Sequence, residues 1–561
     1  PSACSSRLRS STAPSESSPA SDRSASAPAS APSTSRTTAR TVPEASAAGD
    51  AEAAAAAAAA GGGDQRAGGG AAAANARASA SVGVEAVLAL ARRTVGGEVD
   101  ADAPLMEAGL DSLGAVELRN LLQQAAGDGA ALPATLVFDH PTARQLALAL
   151  APDGTPTDAA PPPAPAAIVG ATAGATLAGV SARLPAGASS AGAVWRASAG
   201  GHDLIGEVPA ARWALDVLPA AADVVSRRVR HGGFVAGAER FDGRFFGVSA
   251  VEAAAMDPQQ RLLLEHGYEA LHGAALTRAS LLGSATAVFV GIASNDYANV
   301  SSVSSPRSVY SATGASHSIA SGRLSFSLGL HGPCVSVDTA CSSGLVAHHS
   351  ALRALQLAEC TAAVAAGVNL MLAPHVGIAF ATAGMTSARG RCHTFDDRAD
   401  GYARAEACVA LAAVSEAVMK RGGGDGDGAL LSLLGSAVRQ DGRSASLTAP
   451  NGKAQQALLH AALADAAVTA DALACVEAHG TGTALGDPIE AGSLAGAVLN
   501  SRSGGTMTTV GSVKASAGHA ESAAGTAGLV RLALALRSGQ APPNAQLRSL
   551  NPHVGAAVGV S

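Results

Sequence analysis

Apolar residues recur at helical spacing only from about Val82 onward. Between there and Leu150 the pattern predicts a compact segment with helices over Val84–Val95, Ser112–Ala125 and Thr142–Leu150. Leu113, Val116, Leu118, Leu121 and Leu122 would form the apolar face of the second helix. Residues 1–80 are dominated by Ala, Ser, Gly and Pro without periodicity, a composition that predicts disorder. Pro152–Ala166 contains Pro161-Pro162-Pro163-Ala164-Pro165 and predicts an extended, semi-rigid spacer rising about 3.1 Å per residue. From Ala167 to the end, short apolar strands alternate with small-residue helices. That alternation predicts a layered α/β domain.

Chemistry concentrates where these predicted strands break. In Asp338-Thr339-Ala340-Cys341-Ser342-Ser343 a strand gives way to a helix, which places the Cys341 thiol at the corner. A helix N-terminus there favours thiolate and offers N–H donors to an oxyanion, by about 2 kcal/mol at most. Two histidines lie in comparable settings. His479 closes a strand ahead of the Gly480–Thr483 turn, with Asp487-Pro488-Ile489-Glu490 opening the next helix. His519 follows the run Val510-Gly511-Ser512-Val513-Lys514-Ala515-Ser516-Ala517-Gly518, read as a strand and then a small-residue loop. Strand-to-helix corners on one side of an α/β sheet are where sites collect. In the smaller segment, Ser112 falls at or next to a helix N-cap, where Asp111 is an alternative cap. An anion on Ser112 would sit at the positive helix end.

The chain has 561 residues and a net charge of −6, which predicts several domains and excludes a polycationic nucleic-acid footprint. Its seven cysteines are widely spread with no C-x-x-C pair, so neither a zinc site nor a disulfide framework is expected. No apolar stretch has the length of a membrane span. Residues 1–43, rich in Ser, Ala and Arg and poor in acids, fit either an interdomain linker or a transit peptide.

Gly109-Leu110-Asp111-Ser112-Leu113, Glu117-Leu118-Arg119-Asn120 and Leu132-Pro133-Ala134-Thr135-Leu136-Val137-Phe138-Asp139-His140-Pro141-Thr142 resemble an acyl carrier protein of a type I polyketide synthase. The resemblance implies a four-helix bundle carrying 4′-phosphopantetheine on Ser112. The motifs Phe241-Asp242-Gly243-Arg244-Phe245-Phe246-Gly247, Met256-Asp257-Pro258-Gln259-Gln260-Arg261, Asp338–Ser343, Thr448-Ala449-Pro450-Asn451-Gly452 and Glu477-Ala478-His479-Gly480-Thr481-Gly482-Thr483 resemble the ketosynthase of the same family. That likeness implies a thiolase-like, five-layer αβαβα fold, with Cys341 in one half and both histidines in the other. It further implies a catalytic set of Cys341, His479 and His519 supported by Lys514, and no metal or nicotinamide cofactor.

The domains expected are a linker or transit-like segment over 1–80, a carrier over 81–151, a spacer over 152–166 and a ketosynthase over 167–561. The halves of the ketosynthase would run about 167–420 and 428–561. By resemblance the activity is condensation of an acyl-Cys341 thioester with a malonyl thioester, decarboxylative and of the β-ketoacyl-carrier synthase type. The partners implied are acyltransferase and downstream carrier domains, a phosphopantetheinyl transferase and a second copy of the chain. The location would be cytoplasmic, or plastid if residues 1–43 are a transit peptide. Three alternatives stay open: a non-elongating or decarboxylating ketosynthase, a non-catalytic docking segment, and a fatty acid or polyunsaturated fatty acid synthase.

The chain departs from the family in three places. Ala515-Ser516-Ala517 replaces Ser-Asn-Ile, and Ala405 and Ala407 stand where the family has Gly. If those positions need positive φ, each Ala costs about 1 kcal/mol. The sequence also stops before the Gly-Phe-Gly-Gly segment that closes the family fold, so an incomplete ketosynthase is expected.

Overall fold

The computed structural model describes residues 82–559, apart from 111, 128–131, 134, 152–173, 215–222, 305–307, 416–417, 419–429 and 503–506. The expected disordered segment over 1–80, the spacer over 152–166 and the capping role of Asp111 therefore lie outside the described residues.

The smaller segment is a bundle of α1 (Val84–Val95), α2 (Ser112–Ala126), α3 (Leu136–Asp139) and α4 (Ala143–Ala149). Gly96, at φ 73°, closes α1 in the left-handed conformation that a side chain disfavours. Thr142 caps α4 by accepting the Gln145 N–H. Leu88, Leu105, Leu118, Leu122, Phe138 and Leu146 fill the core. The expected apolar face of α2 needs one correction. Val116 is 44 % exposed, and Ala115 takes the inward position.

The α/β domain is built on a six-stranded mixed sheet. Its strands are β1 (Ala175–Arg183), β4 (Ala287–Ile292), β5 (Cys334–Val337), β6 (Ala362–Asn369), β7 (Ala407–Val414) and β8 (Leu431–Leu433), in the order β5-β4-β6-β7-β1-β8. The pairs of β4 with β5 and β6 are parallel, and those of β6 with β7, and of β1 with β7 and β8, are antiparallel. A short pair, β2 (Gly206–Glu207) and β3 (His231–Gly232), lies apart from it. Strands β6 and β7 are buried at every position because helices cover both faces. Alternate residues feed two cores. Val364, Val368 and Ala410 face Leu262, Leu263 and Leu324 of helices Pro258–Gly273 and His317–Leu328. Ala363, Ala365 and Val409 face Ala351, Leu355 and Val530 of helices Ser343–Gln356 and Ala524–Ser538.

Beyond that central helix layer lies a second sheet, β9 (Cys475–Glu477) parallel to β10 (Thr509–Gly511). Val476 and Val510 pack against Leu459, Leu463 and Leu494 of helices Gly452–Ala466 and Gly486–Ala497, which form the outermost layer. The sequence of layers is αβαβα, as the resemblance implies. Gly344 makes the central layer close-packed. A Cβ there would come 2.3 Å from Thr526 Oγ1, so the two central helices meet nearly backbone to backbone.

Neither Ala405 nor Ala407 has a positive φ, so the expected strain from replacing Gly is absent. Small neighbours make the room instead. Cβ atoms added at Gly233 and Gly518 would lie 2.9 and 3.0 Å from the Ala405 Cβ. The run after Val513, expected as a loop, is a buried one-turn helix, Lys514–Ala517.

Candidate active site

Cys341 follows β5 in a 3-10 turn, Ala340–Ser342, that leads into the helix Ser343–Gln356. Ala340 adopts φ 54°, a conformation that costs an L residue about 1–2 kcal/mol. Local hydrogen bonds hold it there. Ser343 Oγ accepts the Thr339 N–H at 2.8 Å and donates to Ala340 O at 2.7 Å, while Asp338 accepts the Ala340 N–H at 2.9 Å. The thiol is half-buried. Burial raises its pKa, and Lys514 pulls the other way without winning. This corrects the expectation of a thiolate favoured by the helix. Cys341 precedes the helix by two residues, and desolvation outweighs what the helix end supplies.

The β9 strand ends two residues before His479. The turn after it is held by carboxylates from the helix Gly486–Ala497. Glu490 accepts the N–H groups of His479 at 2.6 Å and Gly480 at 2.8 Å, and Asp487 accepts that of Gly482 at 3.1 Å. Burial raises both carboxyls, Asp487 to about 6. The His479 ring opens onto a cavity yet has dense protein around it at longer range. That enclosure, with Lys514 beside it, pushes the imidazole down to about 3.

His519 is buried and clamped by residues 403–405. It donates its N–H to Ala403 O at 2.7 Å and accepts the Ala405 N–H at 2.8 Å. Its Nδ1 accepts the Glu521 N–H at 2.9 Å. A neutral ring in that position carries its proton on Nε2. Burial first, then Lys514, His479 and Arg404, depress the His519 pKa well below the ordinary range. Lys514 itself is buried, at 4 % exposed.

These groups converge. One atom each of Cys341, His479 and His519 lie within 4.8 Å of one another, and the two imidazole rings are 5.6 Å apart in a T-shape. They line a cavity of about 1400 Å³ that runs toward Val476, Leu494, Val510 and Val554. By residue type the trio suits zinc, but the lysine that depresses both imidazoles also repels a cation. Glu477, Glu490, Asp487, Tyr402 and the Arg404–Glu521 pair were not singled out from the sequence. The i, i+3 spacing of Asp487 and Glu490 was the available signal for two of them.

Ser112 is the first residue of α2, a 15-residue helix, and the leading N–H groups of a helix point outward along its axis. That end suits the phosphate of a 4′-phosphopantetheine arm, and a serine there supplies the ester oxygen. The carrier core is continuous with Ala445, Ala449 and Ile489 of the α/β domain. A Cβ at Gly452 would lie 3.3 Å from Asp139 Oδ1 of the carrier. Thr448, Pro450 and Leu485, beside this contact, also line the cavity.

A cysteine and two imidazoles meeting across the central helix layer of an αβαβα fold define a condensing enzyme of the thiolase-like class. Three family models match in order: the phosphopantetheine attachment site over 85–150, the β-ketoacyl synthase N-terminal domain over 176–416 and its C-terminal domain over 430–548. The chain is 42 % identical over 449 residues to the polyketide synthase GfsB of Streptomyces halstedii, covering 79 % of this chain and 8 % of that protein. It is 40 % identical over 465 residues to the erythronolide synthase EryA3 of Saccharopolyspora erythraea, covering 79 % and 14 %. The oxazolomycin ketosynthase domain OzmH KS7 of Streptomyces albus superposes with a TM-score of 0.63 at 34 % identity, over 68 % of this chain and 66 % of that one. The chain belongs to the modular type I polyketide synthases, with a phosphopantetheine carrier followed by a ketosynthase. It spans only 8 % and 14 % of the two curated relatives named.

Proposed function

We propose that the chain performs the decarboxylative Claisen condensation of a polyketide module, with Cys341, His479 and His519 as catalytic residues and Lys514 in support. The observation that carries this is the convergence of the three groups on one cavity. Cys341 Sγ attacks an acyl thioester, a C–S bond forms, and the incoming thiol leaves with the proton that Cys341 releases. The raised thiol pKa fits this exchange, which consumes no net base.

A malonyl thioester in the same cavity loses CO₂, and the electrons of the broken C–C bond pass to its thioester oxygen as an enolate. His519 donates from Nε2 to that oxygen and His479 supplies the second N–H. Both imidazoles are neutral, so neither protonates the enolate outright. Lys514 adds positive potential. The enolate carbon then attacks the acyl carbon, the C–S bond to Cys341 breaks, and the thiolate that leaves takes one proton from water, the proton that decarboxylation of the malonyl carboxylate consumes overall.

Ser112 is the proposed attachment residue. The phosphopantetheine supplies a flexible tether that ends in a thiol. The carrier sits beside cavity-lining residues, which supports delivery of the upstream chain to Cys341. A phosphopantetheinyl transferase, an acyltransferase, a later carrier and a second ketosynthase copy are the partners proposed. The cytoplasm is the proposed location. No described helix is long and apolar enough to cross a membrane, and the plastid alternative gains nothing from the Streptomyces and Saccharopolyspora relatives.

The test is acyl loading followed by mass mapping. An acyl group should appear on Cys341 and disappear in C341A. H479A and H519A should each slow decarboxylation of a malonyl thioester by about 10²–10³-fold, the cost of one oxyanion donor. Loading at another residue, or full decarboxylation by both histidine variants, contradicts the assignment. Transfer from the upstream module that survives S112A removes the hand-off role.

A further inference from the structure

We propose that Glu521, anchored by Arg404, is a positioning residue that commits the His519 ring to a single tautomer. This rests on the reading of His519 as an Nε2–H donor. The Glu521 main-chain N–H is the group that meets His519 Nδ1, at 2.9 Å. Whether it points there depends on the backbone of Glu521, which lies at φ 44°. An L residue stays in that left-handed region only when its surroundings impose it.

The imposing contact is visible. Glu521 Oε1 accepts from Arg404 Nε at 2.5 Å, and both side chains are largely buried. Arg404 belongs to the 403–405 segment that already grips the His519 backbone from both sides. One short stretch therefore holds the main chain of His519 through Ala403 and Ala405, and its ring through Arg404 and Glu521.

Beyond Glu521, the carboxylate acting on the Arg404 charge is that of Asp296. The Arg404 Nη2 has no hydrogen-bond partner, and its guanidinium lies 5.4 Å from the Phe380 ring centre. The next residue, Ser522, donates its hydroxyl to Val368 O at 2.6 Å, so the turn is not loose on its far side. That contact leaves the direction of the Glu521 N–H unset. The groups facing the ring are Lys514, His479, Arg404, Tyr402, Glu521 and Cys341. Among these, the contact seen at Nδ1 is the Glu521 N–H.

The experiment uses the full chain labelled with ¹⁵N-histidine, with the His519 resonances assigned by difference against H519Q. Wild type should show Nε2 protonated and Nδ1 bare. E521Q keeps an acceptor for Arg404 and should keep that signature. The double variant R404M/E521L removes the anchor without stranding a buried charge. It should show mixed tautomers and a kcat for malonyl-pantetheine decarboxylation about 10–100-fold lower at unchanged KM, the usual cost of removing a ligand-orienting partner. A folded double variant with a single Nε2–H tautomer and full kcat overturns the proposal. If that variant does not fold, the milder R404M/E521Q decides. It has no donor at 404 to anchor residue 521, so loss of the single tautomer upholds the proposal and retention overturns it. H519A separates the two readings: full decarboxylation there removes the donor role of His519, whatever the spectra show of its tautomer.

Discussion

Replacing Arg531 by Met isolates the buried charge that ties β9 to the segment carrying Lys514. Glu477, the last residue of β9, accepts the Val513 N–H at 2.5 Å and is ion-paired with Arg531, both side chains being under 10 % exposed. Removing one partner of such a pair costs about 3–5 kcal/mol. Here protonation caps the cost. At pH 7, taking a proton onto a carboxyl whose free value is 4.5 costs about 1.36 kcal/mol for each of 2.5 pH units, or about 3.4 kcal/mol. Loss of the Arg531 bond to Pro542 O adds about 1 kcal/mol that does not vary with pH. The sign follows from burial, which raises Glu477 in the fold. Stability is then full below 4.5 and lost as pH rises through the folded value. Without Arg531 the carboxyl rises further, so the deficit of R531M should widen above the wild-type folded value by up to about 1.36 kcal/mol per pH unit. Urea unfolding can follow this through Trp195 and Trp213, since neither tryptophan lies in the carrier. E477Q/R531M should show a deficit that is flat with pH. A flat deficit in R531M, or an equal slope in the double variant, refutes the reasoning.

In acyl-loaded protein, malonyl decarboxylation should show no acid limb at the ordinary histidine value, because both imidazoles are neutral far below it. A shallow decline centred near pH 6 should follow Asp487 and vanish in D487N, and a limb that D487N leaves unchanged counts against this. Gly518 has φ 82°, and a Cβ there would lie 2.7 Å from Ile205 Cδ1, so G518A should cost about 2 kcal/mol or more and displace His519. An unchanged unfolding midpoint with unchanged decarboxylation would contradict that. I489D places a charge in the apolar contact with the carrier, at about 3 kcal/mol or more, and should free it. Anisotropy of a fluorophore carried on Ser112 should fall, and no change means the contact does not hold the carrier.

The carrier helices and the corner positions of Cys341, His479 and His519 were legible because each leaves a local mark, whereas the layer order came from the family resemblance. Apolar spacing marks helices, and nucleophile and imidazoles fall where strands break. What surrounds the trio was not legible, because its partners are far apart in sequence. Glu477 meets Val513 across 36 positions and Arg404 meets Glu521 across 117. The thiol was misjudged for a related reason. The helix end is written in the local sequence, whereas the burial that overrides it comes from other elements. Ala405 shows the same limit, since Gly233 and Gly518 are distant in the chain and supply the space it occupies.

The chain has 64 glycines but only nine phenylalanines and two tryptophans, so large side chains cannot wedge its loops in place. Buried carboxylates hold them instead. Glu406, 0 % exposed, accepts the N–H groups of Val235 and Met371 while paired with Arg212. Asp296 accepts those of Leu372 and Ala373, Asp396 those of Arg548 and Ser549, and Asp487 those of Phe395 and Gly482. Protonation leaves a carboxyl one full acceptor oxygen and weakens the other, so acid separates these ties by environment. Asp396, paired with Arg398 and hydrogen-bonded to main chain, is held well below its ordinary value. Its stabilisation is present above 3.8 and is lost only as pH falls toward the folded value. Asp487 lies under the turn that follows His479, and burial raises it to about 6. Protonating it favours the folded state overall yet takes an acceptor from the turn that carries His479. Mild acid therefore loosens the site locally while the framework stays intact. The reason is that the donors around Asp487 are main-chain amides without a guanidinium to hold its charge.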